Sequence, residues 1–127
     1  MQLTANFKLD EFRCRDGSEI PVELLPRLET LAVQLQMLRD RVQAPIVIVS
    51  AFRSLEYNRR IGSKDTSQHV QGRAADIRVL GVDVQELAKI CEELMDTGRW
   101  IQGGIGVYPK DNFVHVDTRG SRSRWSQ

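Results

Sequence analysis

Leu24, Leu28, Leu31, Leu35, Leu38 and Val42 recur at alternating steps of four and three, and no other stretch restricts the fold so tightly. That spacing lines one stripe of a helix with apolar side chains, while Glu23, Arg27, Glu29, Arg39, Asp40 and Arg41 fall on the other faces. Pro21 and Pro26 sit near the helix start, where a missing amide donor costs least. The stripe reads as core and not as a zipper for a partner. Ala44-Pro45 ends the helix. The four β-branched residues Ile46 to Val49 then predict a strand covered on both faces.

The remaining elements follow from local signals. Leu55 to Ile61 reads as a short helical turn carrying Tyr57 and Asn58, and residues 62–66 as a polar loop. Ala74 to Val79 is a second strand, broken at Gly81. Asp83-x-x-Glu86 opens a second long helix as a capping box, with Val84, Leu87, Cys91 and Leu94 on its buried side and Gly98 at its stop. Gly103 to Tyr108 and Phe113 to Asp117 flank a Pro109–Asn112 turn and read as a hairpin. Residues 1–20 form an extended arm anchored by Phe7 and Phe12, and residues 118–127 a basic tail with Arg119, Arg122 and Arg124. The order predicts an α+β domain, with helices on one face of a small, mainly antiparallel sheet. At 127 residues, with no repeat, low-complexity stretch or linker, the chain (1–127) reads as a single domain.

Composition removes several classes of function. A formal net charge of +1 without a basic stripe gives no argument for nucleic acid. Cys14 and Cys91 are too few for a disulfide framework or a thiolate zinc knuckle, and Cys91 reads as a free core thiol. No apolar run approaches the ~20 residues of a membrane span. The opening Met1-Gln2-Leu3-Thr4 lacks the features of a secretory signal, so cytoplasmic synthesis is expected, and the chain is expected to be a monomer.

There are two histidines, and each lies in a distinctive segment. His69 belongs to Ser67-Gln68-His69-Val70-Gln71-Gly72-Arg73-Ala74-Ala75-Asp76, and His115 to Phe113-Val114-His115-Val116-Asp117. Strand alternation puts Ala75, Ile77 and Val79 on one face and Asp76 on the other. It likewise separates Val114 and Val116 from His115 and Asp117. With the valines and Ile77 toward the helices, Asp76 and His115 emerge together on the outer face. His69 arrives from the loop above, Gly72 permits the bend, and the alanines leave room. Two imidazoles and a carboxylate at ~2.0–2.2 Å suit a catalytic zinc with one position left for water. On spacing alone, ordinary core or surface histidines are the favoured reading.

The segment Ser-x-His-x-x-Gly-x-Ala-x-Asp, Ser67 to Asp76, resembles the first signature of the zinc D-Ala-D-Ala carboxypeptidases, D-Ala-D-Ala dipeptidases and phage L-alanyl-D-glutamate endopeptidases. The hedgehog signalling domain shares their fold. Phe-Val-His-Val-Asp is similar to the second signature, and Ser50-Ala51-Phe52-Arg53-Ser54 resembles an upstream Ser-Gly-Tyr-Arg-Ser stretch. Gly103 to Pro109 resembles the strand before the last ligand, and the match is closest to the short carboxypeptidase-like branch. The resemblance implies a hedgehog/DD-peptidase-like fold with the zinc site on the sheet face opposite the helices. It implies Zn2+ held by His69, Asp76 and His115, with zinc-bound hydroxide attacking an amide of a peptidoglycan stem peptide. Arg53 would stabilise the oxyanion, Ser67 would contact substrate, brace His69 or simply cap the turn, and Tyr57 and Asn58 would line the cleft, with ordinary packing the alternative for both. Action at the cell wall, from a phage or prophage source, would reconcile this substrate with the absent signal.

The general base departs from that pattern. Related enzymes carry a glutamate three residues before the last histidine, or a histidine two before it; Asn112 and Phe113 stand there here. Asp117, on the strand face of His115, is the leading substitute, and it can instead orient an imidazole. Asp111 in the turn is the outside candidate. The missing base supports a second reading, a non-catalytic zinc-binding module for cell-wall peptide or a protein partner.

Overall fold

Asp76 and His115 are direct neighbours across an antiparallel pair of strands, and the fold is most simply described outward from them. The computed structural model describes residues 1–127, in the order α1 (Leu25–Val42), β1 (Ile46–Ser50), α2 (Leu55–Arg60), β2 (Ala74–Val79), α3 (Val84–Asp96), β3 (Gly104–Tyr108), β4 (Phe113–Asp117) and β5 (Ser123–Ser126). The strands form one sheet in the order β1-β2-β4-β3-β5. Every pairing is antiparallel except β3 with β5, which is parallel. The predicted α+β class and mainly antiparallel sheet hold.

The inner face of the sheet is apolar because alternate residues point there. Ala75, Ile77 and Val79 of β2 lie beside Val114 and Val116 of β4 and Ile105 of β3, all buried. α3 packs across them, and α1 packs on α3 through its leucine stripe, with Leu28, Leu31, Leu35 and Leu38 fully enclosed. Asp83 caps α3 by accepting from the Gln85 amide at 3.0 Å, without the reciprocal Glu86 bond of a capping box. Gly98, at φ 76°, follows the helix as the pattern predicted. Trp100 ties the two long helices together, its indole N–H donating to the Gln34 carbonyl at 2.8 Å. The N-terminal arm docks Phe7 and Phe12 edge to face, and is folded at a 3₁₀ turn, Leu9–Phe12, where an extended chain was expected. No helix is long and apolar enough to cross a membrane.

Two expectations fail. β1 is not covered on both faces: it is an edge strand paired only with β2, and Val47 is half exposed. Four β-branched residues report strand propensity, which says nothing about position in the sheet. Residues 118–127, expected only as a basic tail, contribute a strand. β5 adds to the far edge of the sheet, and its arginines are engaged by acids. Arg122 and Arg124 both reach Glu92 on α3, and Arg119 reaches Asp117. With hardly any apolar alternation in Ser123–Ser126, ion pairs and the backbone ladder hold a strand that hydropathy does not announce.

Candidate metal centre

Three elements deliver the ligating side chains. Asp76 stands in the middle of β2, His115 opposite it in β4, and His69 on the turn that leads into β2. That turn is tight. Gly72 takes φ 73°, and a Cβ there would come within 3.3 Å of Leu24, so both backbone and space favour glycine. The Arg53 amide donates to the His69 carbonyl at 3.2 Å, stitching the turn to the segment after β1. Ser67 Oγ accepts from the His69 amide at 3.2 Å, a contact that caps the turn, and the residue also lines the cleft.

The ligand atoms converge. His69 Nε2 lies 3.2 Å and His115 Nδ1 3.0 Å from Asp76 Oδ1, and all three residues are buried. One ligand atom from each lies within 4.8 Å of the others. The far nitrogen of each ring settles the tautomers. His69 Nδ1 is 2.7 Å from the Ala51 carbonyl, an acceptor, so Nδ1 carries the proton and Nε2 presents a lone pair. His115 Nε2 is 2.8 Å from Asp117 Oδ2, so its Nδ1 turns a lone pair to the same point. With both rings neutral, two lone pairs and a carboxylate oxygen face one another, an arrangement that a bound cation relieves. The N,N,O donor set fits a divalent metal, and each imidazole has the supporting acceptor such ligands require.

Electrostatics divide the two histidines. Burial pushes the His69 imidazole down and keeps it neutral. Burial acts the same way on His115, but the Asp117 and Asp76 carboxylates on either side of the ring outweigh it and raise its proton affinity. Burial opposes the charge on Asp76, yet the two imidazoles beside it hold its carboxyl well below the usual carboxylate range.

Asp117 does not occupy the place of a general base. Its carboxylate is enclosed behind the His115 ring, away from the cleft, and accepts from His115, the Gly104 amide at 2.8 Å and the Arg119 guanidinium at 2.7 Å. Burial opposes its charge, and those donors still hold it well below its ordinary value. A carboxylate with its lone pairs so occupied orients the imidazole. Gly103 and Gly104 let it settle there, since a Cβ on Gly104 would come within 2.4 Å of Asp117 Oδ2. Asp111 is exposed in the hairpin turn and does not line the cleft. Asp76 is the one acidic side chain that does.

Arg53 is placed as predicted, at the cleft and only 14% exposed. Each guanidinium nitrogen is spoken for: Nε by Ser50 Oγ at 3.2 Å, Nη1 by Asn58 Oδ1 at 3.3 Å, Nη2 by Asp76 Oδ2 at 3.3 Å. Asn58 and Tyr57 do not line the cleft, against expectation. Asn58 is fully buried and joins Arg53 to the Lys64 carbonyl, and the Tyr57 amide donates to the helix-capping Ser54 hydroxyl. Both belong to the short helix α2, whose buried side faces the protein interior instead of the groove.

The cleft, about 380 Å³, is also lined by Lys64, Gln68, Tyr108, Arg119 and Trp125, none of which motif reading singled out. Trp125 rests 5.0 Å from the His115 ring. The one trace of it in the sequence is Gly106, where a Cβ would lie 2.3 Å from the indole.

The sequence pattern of the family described as Peptidase M15 matches residues 5–117. Peptidoglycan L,D-endopeptidase MepK of Escherichia coli (strain K12) is 30% identical over 83 residues, covering 61% of this chain and 42% of its own. A probable peptidoglycan L,D-endopeptidase MepK of Haemophilus influenzae is 36% identical over 80 residues, covering 59% and 40%. The chain spans about two fifths of the length of these curated relatives.

Proposed function

The chain belongs to the Peptidase M15 family, and from that premise we propose that it is a zinc-dependent peptidase hydrolysing an amide bond of peptidoglycan stem peptides. The observation that carries this reading is the convergence of His69 Nε2, Asp76 Oδ1 and His115 Nδ1, with both tautomers held from behind, beside a pre-set arginine. Zinc bound there supplies Lewis acidity toward an amide carbonyl and makes water acidic enough to attack near neutral pH. The protein residues do the rest. His69 and His115 present their lone pairs, and Asp117 keeps the His115 ring from turning. Arg53 donates to the carbonyl oxygen as negative charge builds on it, and its three anchors remove the cost of ordering it at that moment.

No second carboxylate lines the cleft, so solvent in the open groove would take the proton of the attacking water and return one to the leaving amine. That lowers the rate and leaves it sensitive to small bases in the buffer. The same observation favours a second reading, a non-catalytic zinc module that binds cell-wall peptide. Purified peptidoglycan incubated with the zinc-loaded chain separates them. New free amino groups that vanish with chelator and with Asp76→Ala support the peptidase; binding with no amine released supports the module. On either reading the place of action is the cell wall, and a phage or prophage origin belongs to the same proposal.

A further inference from the structure

We propose that β5 and the loop leading into it carry a substrate subsite in which Trp125 and Arg119 together bind a peptide residue whose aliphatic chain ends in a carboxylate. The inference rests on the peptidase reading only in taking a stem peptide as the ligand. Both residues lie beyond residues 5–117, the span matched by the family, yet both line the cleft.

The sheet order sets the geometry. With strands in the order β1-β2-β4-β3-β5, Arg53 belongs to the β1 flank and Trp125 to the β5 flank, with Asp76 and His115 between them. A peptide lying across the ligands therefore meets Arg53 on one side and β5 on the other. Three of the five guanidinium N–H groups of Arg53 are taken by protein partners, which sets the remaining two at the centre for the reacting carbonyl.

Arg119 differs. Its Nε and Nη2 bind Asp117 at 2.9 and 2.7 Å, which fixes the plane, while Nη1 has no acceptor within the protein. Its Cζ sits 5.6 Å from the centre of the Trp125 ring, so charge and apolar surface are presented side by side. Trp125 is itself fixed. Its indole N–H donates to the Tyr108 hydroxyl at 2.8 Å, and the ring lies over Gly106 where any side chain would collide with it. The strand beneath is clamped to α3 by Arg124 and Arg122 on Glu92. An aromatic ring next to one free, oriented cationic donor takes methylene groups and a carboxylate together. A neutral amide at the end of that chain forfeits the charge-assisted bond.

The test compares L-Ala-D-Glu with L-Ala-D-Gln on the zinc-loaded full chain, read by tryptophan emission. Trp100, the other tryptophan, is buried away from the cleft, and the response lost in Trp125→Phe identifies the Trp125 signal. The acid is expected to bind at least about tenfold more tightly than the amide, the scale of one hydrogen bond to a charged group. Calorimetry should show that preference collapsing in Arg119→Gln. Both Trp125→Ala and Gly106→Ala, which displaces the ring, should weaken the acid at least about tenfold, with Trp125→Phe restoring most of the loss. Equal affinity for the two peptides overturns the subsite. So does a Trp125→Ala protein that loses zinc yet keeps its peptide affinity when zinc is restored. Preference for the acid without amine release from peptidoglycan sinks the peptidase reading and leaves the subsite; peptidoglycan cleavage without preference does the opposite.

Discussion

His69 and His115 do the same work from opposite surroundings. His69 is held by a backbone carbonyl, Ala51, on a turn packed by local hydrogen bonds. His115 is held by a buried carboxylate, Asp117, that is itself held by Arg119 and the Gly104 amide. A carbonyl orients a ring without adding charge, whereas a carboxylate orients it and raises its basicity. The first arrangement needs no particular side chain behind it; the second needs an ion-pair relay reaching to the start of β5. The two sides of one centre therefore differ in what can break them.

Removing the point they share should do most. Asp76→Ala is expected to cost more than the about 100-fold in zinc affinity that loss of a supporting residue costs, measured by competition with a chromogenic chelator. Arg53→Ala tests the β1 flank alone. It should lower kcat by about 10²–10³-fold with zinc affinity retained, the scale of one lost oxyanion donor. If zinc is lost as well, Arg53 serves mainly to hold Asp76.

Asp117→Asn probes the carboxylate side, and a 10–100-fold loss of zinc affinity is expected. Asp117→Ala should in addition destabilise the fold by about 1–3 kcal/mol, because it leaves the buried Gly104 amide and His115 ring without their acceptor, and thermal unfolding would record it. No side-chain change can do the same behind His69. A loss at Asp117 no larger than a surface mutation would erase the distinction between the two histidines.

The smallest effect is a pH dependence of the β5 clamp. Hydrogen bonds from Arg124 lead in lowering Glu92 to about 2, with burial acting against them. A carboxyl depressed on folding contributes stability that is complete above its unfolded value and fades as pH falls through about 2. Glu92→Gln should remove that acid-range component and cost under about 1 kcal/mol, since the cluster is part exposed. Amide exchange should then quicken in β5 before it quickens in β2 or β4.

Legibility in the sequence follows the same division. The α1 stripe, the α3 face, β2, β4 and the β3–β4 hairpin could be read because each has a local period that burial imposes. The same alternation placed Asp76 beside His115 on the outer face, and the register Asp76↔His115 agrees. The edge position of β1, the β5 strand and the inward burial of Asn58 had no local period to announce them. Asp117 was legible as a partner for His115, but its enclosure depends on Gly103 and Gly104 of another strand and on Arg119 beyond the match.

What the sequence determined by itself was the set of candidate ligands, and for Asp76 and His115 the face they share, because side-chain alternation along a strand is a property of the backbone. What only the tertiary structure decided was the use of each neighbour: which nitrogen of each imidazole is free, that Asp117 stands behind the ring and not beside the water, and that Trp125 closes the cleft. Those roles turn on distances of a few ångströms between segments far apart in the chain, and no spacing within one segment encodes them.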